Sequence, residues 1–81
     1  MDLMDDKAVS IYPNPTADML NINAVKEIES VRVLSLSGKT IQLIDGETNS
    51  LELDVSNLTP GVYYIMILSN GEWIPQKFVK L

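Results

Sequence analysis

Apolar and polar residues alternate with a period of two in several short stretches of the chain. Leu20 and Ile22 alternate with asparagines, and Leu53 and Val55 flank the polar Asp54. This period is typical of a β-strand that turns one face to a core, and no stretch keeps a helical apolar stripe for three turns. Seven strands are predicted, at about 8–12, 19–23, 30–35, 40–44, 50–54, 62–68 and 73–80.

Pairs of turn-forming residues separate these strands. Asn70-Gly71 tolerates the positive φ angles of a type I′ hairpin, and Gly61 after Pro60 suits a type II turn. Ser37-Gly38-Lys39 predicts a further hairpin, and the prolines at 13 and 15 require the chain to leave the ladder after the first strand. Short strands spaced by about 8–12 residues predict an all-β sandwich or barrel.

The core is expected to form from the apolar sets of these strands. The run 62–68 is apolar in both phases, which predicts a central strand covered on both faces. The predicted core consists of Val9, Ile11, Leu20, Ile22, Val31, Val33, Leu53, Val62, Tyr64 and Phe78.

Length and composition bound the function. With 81 residues the chain is one small domain, predicted at 8–81 after a linker or frayed tail at 1–7. The net charge of −5 makes nucleic acid a poor partner, since binding it needs a basic face. The absence of cysteine and histidine excludes disulfides, thiolate zinc sites and Ser-His-Asp triads. We expect no catalytic, cofactor or metal site, and no transmembrane segment, because the longest apolar run, 62–68, is too short to span a bilayer.

Acidic and asparagine-containing patterns offer only weak candidates. Glu52 and Asp54 share a strand face and suit an acid–base pair, but a solvated strand face is the favoured interpretation. Three aspartates within 2–6 lack the spaced ligands and glycine of a calcium loop, so a soluble linker is favoured. Asn57-Leu58-Thr59 matches the N-glycosylation pattern, and a turn is again the favoured interpretation.

The aromatic residues and the terminal lysines leave alternatives open. Tyr12, Tyr63, Tyr64 and Trp73 suit an aromatic platform for sugars, although packing within and across strands is favoured. The lysines at 77 and 80 are interpreted equally as protection of an edge strand and as exposed contacts for a partner.

Three blocks of sequence and a terminal segment carry a resemblance to a known family. The candidate sorting-motif residues are Tyr12, Pro13, Asn14 and Pro15 in the first block, Gly38 and Lys39 in the second, Leu58, Pro60, Gly61 and Tyr63 in the third, and Lys77, Phe78, Val79 and Lys80 in the terminal segment. Together they resemble the type A C-terminal sorting domain of the type IX (Por) secretion system of Bacteroidota. The resemblance covers residues 8–81, and the final Leu81 departs from the basic terminus of many members.

The resemblance implies an immunoglobulin-like antiparallel β-sandwich of about seven strands. It also implies a non-enzymatic signal that follows a cargo domain and directs it from the periplasm through the outer-membrane translocon. A surface sortase commonly removes such a domain, here at or upstream of 2–7, so the cargo is expected to be secreted or held at the cell surface. The last strand is expected to offer its backbone edge to a partner by strand addition. The alternatives are an immunoglobulin-like adhesion or carbohydrate-binding module and a structural spacer.

Overall fold

The computed structural model describes residues 8–81, and the tail predicted at 1–7 lies outside this range. The described residues form five antiparallel strands joined in one hydrogen-bonded network. The strands are β1 (Val9–Tyr12), β2 (Met19–Leu34), β3 (Thr40–Asp54), β4 (Gly61–Ser69) and β5 (Glu72–Lys80). The predicted all-β antiparallel fold is confirmed, but with five continuous strands rather than seven.

The two long strands account for the difference in number. β2 joins the predicted strands at 19–23 and 30–35, and β3 joins those at 40–44 and 50–54. The β2–β3 register shifts between Asn23 and Ile28 and again before Ser30, so the pair bends where the sequence pattern breaks. Bulges of this kind bend a strand without ending it, which the residue pattern alone does not distinguish from a loop.

The bend divides the sheet into two layers. In the first layer, β1 pairs with 21–24 of β2, and 50–54 of β3 pairs with the other edge of β2. In the second layer the order is β3, β2, β4, β5, with 28–34 of β2 pairing with β4. Apolar side chains from both layers form one buried cluster, so the molecule is a β-sandwich whose layers share two strands.

The core agrees with the sequence prediction at seven positions. Val9, Leu20, Ile22, Val31, Val33, Leu53 and Phe78 are buried, and Ile11 is half-buried against them. Val62 and Tyr64 were assigned to the core wrongly, since they are 36% and 40% exposed, and Tyr63, Ile65 and Ile67 are buried instead. β4 is apolar in both phases, so its alternation does not show which set faces inward.

The turns follow the chemistry of their residues. Asn70 and Gly71 have φ of 54° and 77°, as a type I′ hairpin requires. Gly38 has φ of 92° between β2 and β3. Gly61 has φ of 152°, which is positive but far from the about 80° of a type II turn. Among residues 8–81 there is no helix long and apolar enough to cross a membrane.

Candidate functional site

The first sequence block is bound along the outer edge of β5. The Asn14 side-chain amide donates to the Lys77 carbonyl at 3.0 Å, and its oxygen accepts from the Val79 amide at 2.9 Å. Next to it, the Thr16 amide donates to the Val79 carbonyl, and the Leu81 amide donates to the Thr16 carbonyl, both at 2.9 Å. We call these four hydrogen bonds between 14–16 and 77–81 the latch.

Asn14 acts in the latch as a substitute for a strand residue. The prolines on either side of it have no amide hydrogen, so the backbone at 13 and 15 has no donor for a ladder. The Asn14 side chain presents an N–H donor and a carbonyl acceptor to β5, as a peptide group would. It thereby satisfies two backbone groups of that strand. Both peptide bonds that precede these prolines are cis.

Thr16 completes the latch from a buried position. It is 1% exposed, it forms a parallel bridge with Lys80, and its hydroxyl donates to the Met19 carbonyl at 2.6 Å. Thr16 directly follows the motif residues 12–15, but the sequence gives no signal for this role, because threonine is a common residue on surfaces and in strands.

The latch changes the prediction that β5 offers its edge to a partner strand. Four backbone groups of β5 that point away from β4 are already bonded to the first block: the Lys77 carbonyl, the Val79 amide and carbonyl, and the Leu81 amide. Pro75 occupies the same alternation of β5 and has no amide hydrogen to offer. The outer edge of β5 between 77 and 81 is therefore largely occupied by the first block, which opposes strand addition without any contribution from lysine side chains.

The two terminal lysines lie on opposite faces of β5. Lys77 is exposed on the outer face, whereas Lys80 lies on the inner face and is only 8% exposed. The Lys80 ammonium donates to the main-chain oxygen of Leu81 at 3.0 Å, so its charged end has a local partner. The expectation that both lysines are exposed contacts is wrong for Lys80, because two residues three apart cannot share a strand face.

The third block meets the terminal segment inside the sandwich. Tyr63 stacks on Phe78 with ring centroids 5.6 Å apart, and its hydroxyl donates to the Thr59 carbonyl at 2.6 Å. A tyrosine bonded back to the backbone a few residues upstream resembles the tyrosine corner of immunoglobulin-like domains. Leu58 is buried beside them, whereas Pro60 is exposed.

The second block forms a turn closed by its own backbone. The Gly38 amide donates to the Ser35 carbonyl, and the Ser35 amide donates to the Lys39 carbonyl, both at 2.9 Å. Gly38 and Lys39 are exposed, and an added Cβ at Gly38 would meet nothing within 4 Å. The glycine is required here by its positive φ and not by crowding.

The sheet register and the latch together bring part of every block to one end of the second layer. Leu34, which lies in the second block directly before its turn, pairs with Tyr64, and Tyr64 pairs with Lys77. Gly61 of the third block pairs directly with Lys80, and the first block is bound to 77–81 by the latch. We call this region, formed by 14–16, 35–39, 58–63 and 77–81, the motif end. Tyr12 lies apart from it, on the outer face of the first layer, where its hydroxyl accepts from the Asn23 amide.

The weaker candidates that lie within 8–81, namely Glu52, Asp54 and Asn57, are exposed. Glu52 and Asp54 are exposed on one face of β3, as the solvated-face interpretation requires. Hydrogen bonds from the Ser56 hydroxyl and then its amide lower the pKa of Asp54. Within 8–81 no group of three or more metal-ligating side chains comes together, and the aspartates at 2–6 lie outside this range.

The aromatic side chains do not form one platform. Tyr63 is buried, and Tyr12 belongs to the first layer. Tyr64 and Trp73 are exposed on the outer face of the second layer, with the Arg32 guanidinium 5.1 Å from the centre of the Trp73 ring. The packing interpretation holds for Tyr63, which stacks on Phe78.

Comparison with known proteins shows that the blocks belong to one protein family. The sequence model of one family, described as a secretion system C-terminal sorting domain, matches residues 10–81. The chain belongs to this family. The match spans the three blocks and the terminal segment. The type IX sorting domain is therefore the sandwich and not a short terminal signal. The family is one of secretion signals rather than enzymes, and its signal directs export across the outer membrane to a secreted or surface location. No curated protein matches the chain.

Proposed function

We propose that the sorting domain carries a cargo domain joined to its N-terminal side through the outer-membrane translocon, and that the motif end is the surface recognised. One observation carries this proposal: motif residues scattered from 14 to 80 are gathered by the sheet register at one end of the second layer. Three of these residues, Lys39, Pro60 and Lys77, are exposed at this end and are accessible to a partner.

The buried members of the motif have a supporting role in this proposal. Phe78, Tyr63 and Leu58 fix the end of the sandwich from inside, and Asn14 and Thr16 fix the edge of β5 from outside. The exposed side chains are therefore presented on a rigid backbone, which lowers the entropic cost of recognition. After export, a surface sortase removes the domain at or upstream of 2–7.

Export of a reporter tests the proposal. The reporter receives a periplasmic signal at its N-terminus and residues 1–81 at its C-terminus, in a host that has the type IX system. We expect the reporter outside the cell, released without the domain. Lys77→Ala should reduce export about tenfold, as expected for the loss of one strong interface contact.

The matched control is Lys26→Ala, which removes the same charge from an exposed residue in the bend of β2, away from the motif end. Both variants should keep the thermal midpoint of the parent, because exposed substitutions usually change stability by no more than about 0.5 kcal/mol. Retention of the parent fusion in the periplasm would contradict the proposed function. Equal export of the two lysine variants would remove Lys77 from the recognised surface.

A further inference from the structure

The outer face of the second layer is unusually apolar. Six large apolar side chains on it are 36–57% exposed: Ile41, Leu43, Val62, Tyr64, Trp73 and Val79. We call these six residues the apolar face. They account for six of the eleven exposed large apolar residues of the described chain. Cross-strand pairs such as Val62–Val79 join them into one surface across β4 and β5.

The outer face of the first layer shows that exposure of this kind is not general in the molecule. There, Asn21 pairs with Glu52 and Asn23 pairs with Ser50. The Ser50 hydroxyl donates to the Asn23 side-chain oxygen at 2.9 Å, so the polar groups of that face bond to one another. Two large apolar side chains, Tyr12 and Met19, are exposed on that face, against six on the outer face of the second layer, which resembles the centre of a protein interface.

Two positive charges lie within the apolar face. Arg32 pairs with Met66 on one side and Leu43 on the other, and Lys77 pairs with Tyr64. Two carboxylates lie near the margins of this face: Asp45 is one pair beyond these rows at the β3 edge, and Glu29 accepts from the Gly71 amide in the hairpin before Trp73. The centre of the face is therefore apolar and cationic on a chain whose net charge is −5.

The charges distinguish among possible occupants. A second copy would bring Arg32 and Lys77 against like charges or apolar groups, between two molecules that each carry −5. An anionic membrane surface attracts clusters of four or more cations, whereas this face has two on a strongly acidic molecule. A protein surface with apolar side chains and exposed carboxylates matches both the apolar area and the charge.

We infer that the apolar face docks onto an apolar, carboxylate-bearing surface of a protein of the export machinery. The inference rests on the proposed function and extends the contact surface from the motif end, with which the apolar face shares Val62 and Val79, across the outer face of the second layer. The inferred partner also accounts for the sequence of β4, whose residues are apolar on both faces of the strand although the sandwich covers only one face. The second covering layer belongs to the partner.

Export of the same reporter fusion tests the apolar face through Leu43, its most exposed member. Leu43→Glu places a carboxylate opposite the expected carboxylates and should reduce export about tenfold. Val25→Glu is the matched control, since Val25 is 72% exposed in the bend of β2, outside the apolar face. It should be exported like the parent.

Charge reversal gives an independent variant if Leu43→Glu lowers stability. Arg32→Glu should lose export, whereas Arg32→Lys, which keeps the charge, should retain most of it. Thermal midpoints and resistance to trypsin must match those of the parent for each variant compared. Retention of the parent would defeat the proposed function together with this inference. Export of the parent, Leu43→Glu and Arg32→Glu at equal levels would defeat the inference alone.

The rival occupants are tested on the purified domain. Sedimentation equilibrium should show a monomer, and co-sedimentation with phosphatidylglycerol vesicles should leave the domain in the supernatant. A dimer that Leu43→Glu dissociates would assign the apolar face to a second copy. Vesicle binding that Arg32→Glu abolishes would assign it to a membrane. Either result would overturn the inference.

Discussion

Two motif blocks of similar length are held in opposite ways. The first block is bound to β5 by two hydrogen bonds of Asn14, whose partners are 63 and 65 positions away in the sequence. The backbone of Thr16 adds two more hydrogen bonds to the same strand. The second block is closed by bonds between Ser35 and residues at most four positions away. The hydrogen bonds of the first block therefore form only when the whole sandwich is folded, whereas those of the second block need only a local turn. Substitutions in the two blocks should differ in how far their effects reach.

The largest effect is expected beneath the latch. Phe78 is completely buried against Tyr63, and Phe78→Ala should cost about 3–5 kcal/mol through lost contacts and a cavity. That is a large part of the stability of a small domain, so the latch should be lost with it. Urea denaturation followed by circular dichroism measures the change.

The neighbouring Val79 gives the control for this prediction. Val79 is 37% exposed on the opposite face, so Val79→Ala should cost well under half as much as Phe78→Ala. Equal costs would mean that the terminal segment contributes to stability by its backbone alone.

A smaller effect with a long reach is expected at Asn14. Asn14→Ala removes two hydrogen bonds to β5, and at about 0.5–1.5 kcal/mol each it should cost about 1–3 kcal/mol. The amide of Val79 should lose protection against hydrogen exchange, although it lies 65 residues away. Asn57→Ala, at an exposed turn position, should leave Val79 unchanged. Unchanged protection of Val79 in Asn14→Ala would contradict the latch.

A similar cost with a short reach is expected at Gly38. Gly38→Ala places a side chain at φ of 92°, which should cost about 1–2 kcal/mol. Gly46 is the matched control, because it also has open space around it but no positive φ, so Gly46→Ala should be neutral or slightly stabilising. Exchange rates measured by NMR should change at 35–39 in Gly38→Ala and stay constant at Val79.

The smallest effect is expected at Asp54, whose carboxylate accepts hydrogen bonds from the Ser56 hydroxyl and amide. Ser56→Ala removes the side-chain hydrogen bond that contributes most to the lowered pKa of Asp54, so this pKa should rise toward its ordinary value. A lowered folded pKa gives stability above the unfolded pKa that is lost as pH falls through the folded pKa. NMR titration of the Asp54 carboxyl measures the shift, which should leave the latch unaffected.

The sequence predicts what depends on local pattern and turn chemistry. The alternation around Leu20 and Leu53 placed these residues correctly in the core, and Asn70-Gly71 predicted the hairpin that the structure contains. The same patterns misplaced Tyr64, because a strand that is apolar in both phases does not reveal which face is covered. Near the bend of β2 the pattern predicts two separate strands, because bulges preserve strand pairing without preserving alternation.

The resemblance gives the motif residues as a set, and their arrangement does not follow from the residue pattern. The resemblance named Asn14, Lys77 and Lys80 together, yet nothing in the residue pattern shows that the Asn14 side chain bonds to β5. The burial of Lys80 also depends on tertiary structure, since its aliphatic stem is covered only when the sandwich has packed around the inner face of β5. Contacts between distant segments are the part that local rules omit.

The latch has a consequence for the order in which the chain acquires its structure. Translation produces the first block before β5, and the bonds of Asn14 and Thr16 have no acceptors or donors until 77–81 has been made. Phe78, which completes the core, arrives at the same late stage. Contacts between such distant residues are slow to form, because the long loop between them must close first. The finished sandwich is therefore a sign that synthesis has reached the last strand, and a chain truncated before residue 77 lacks the surface that we propose is recognised.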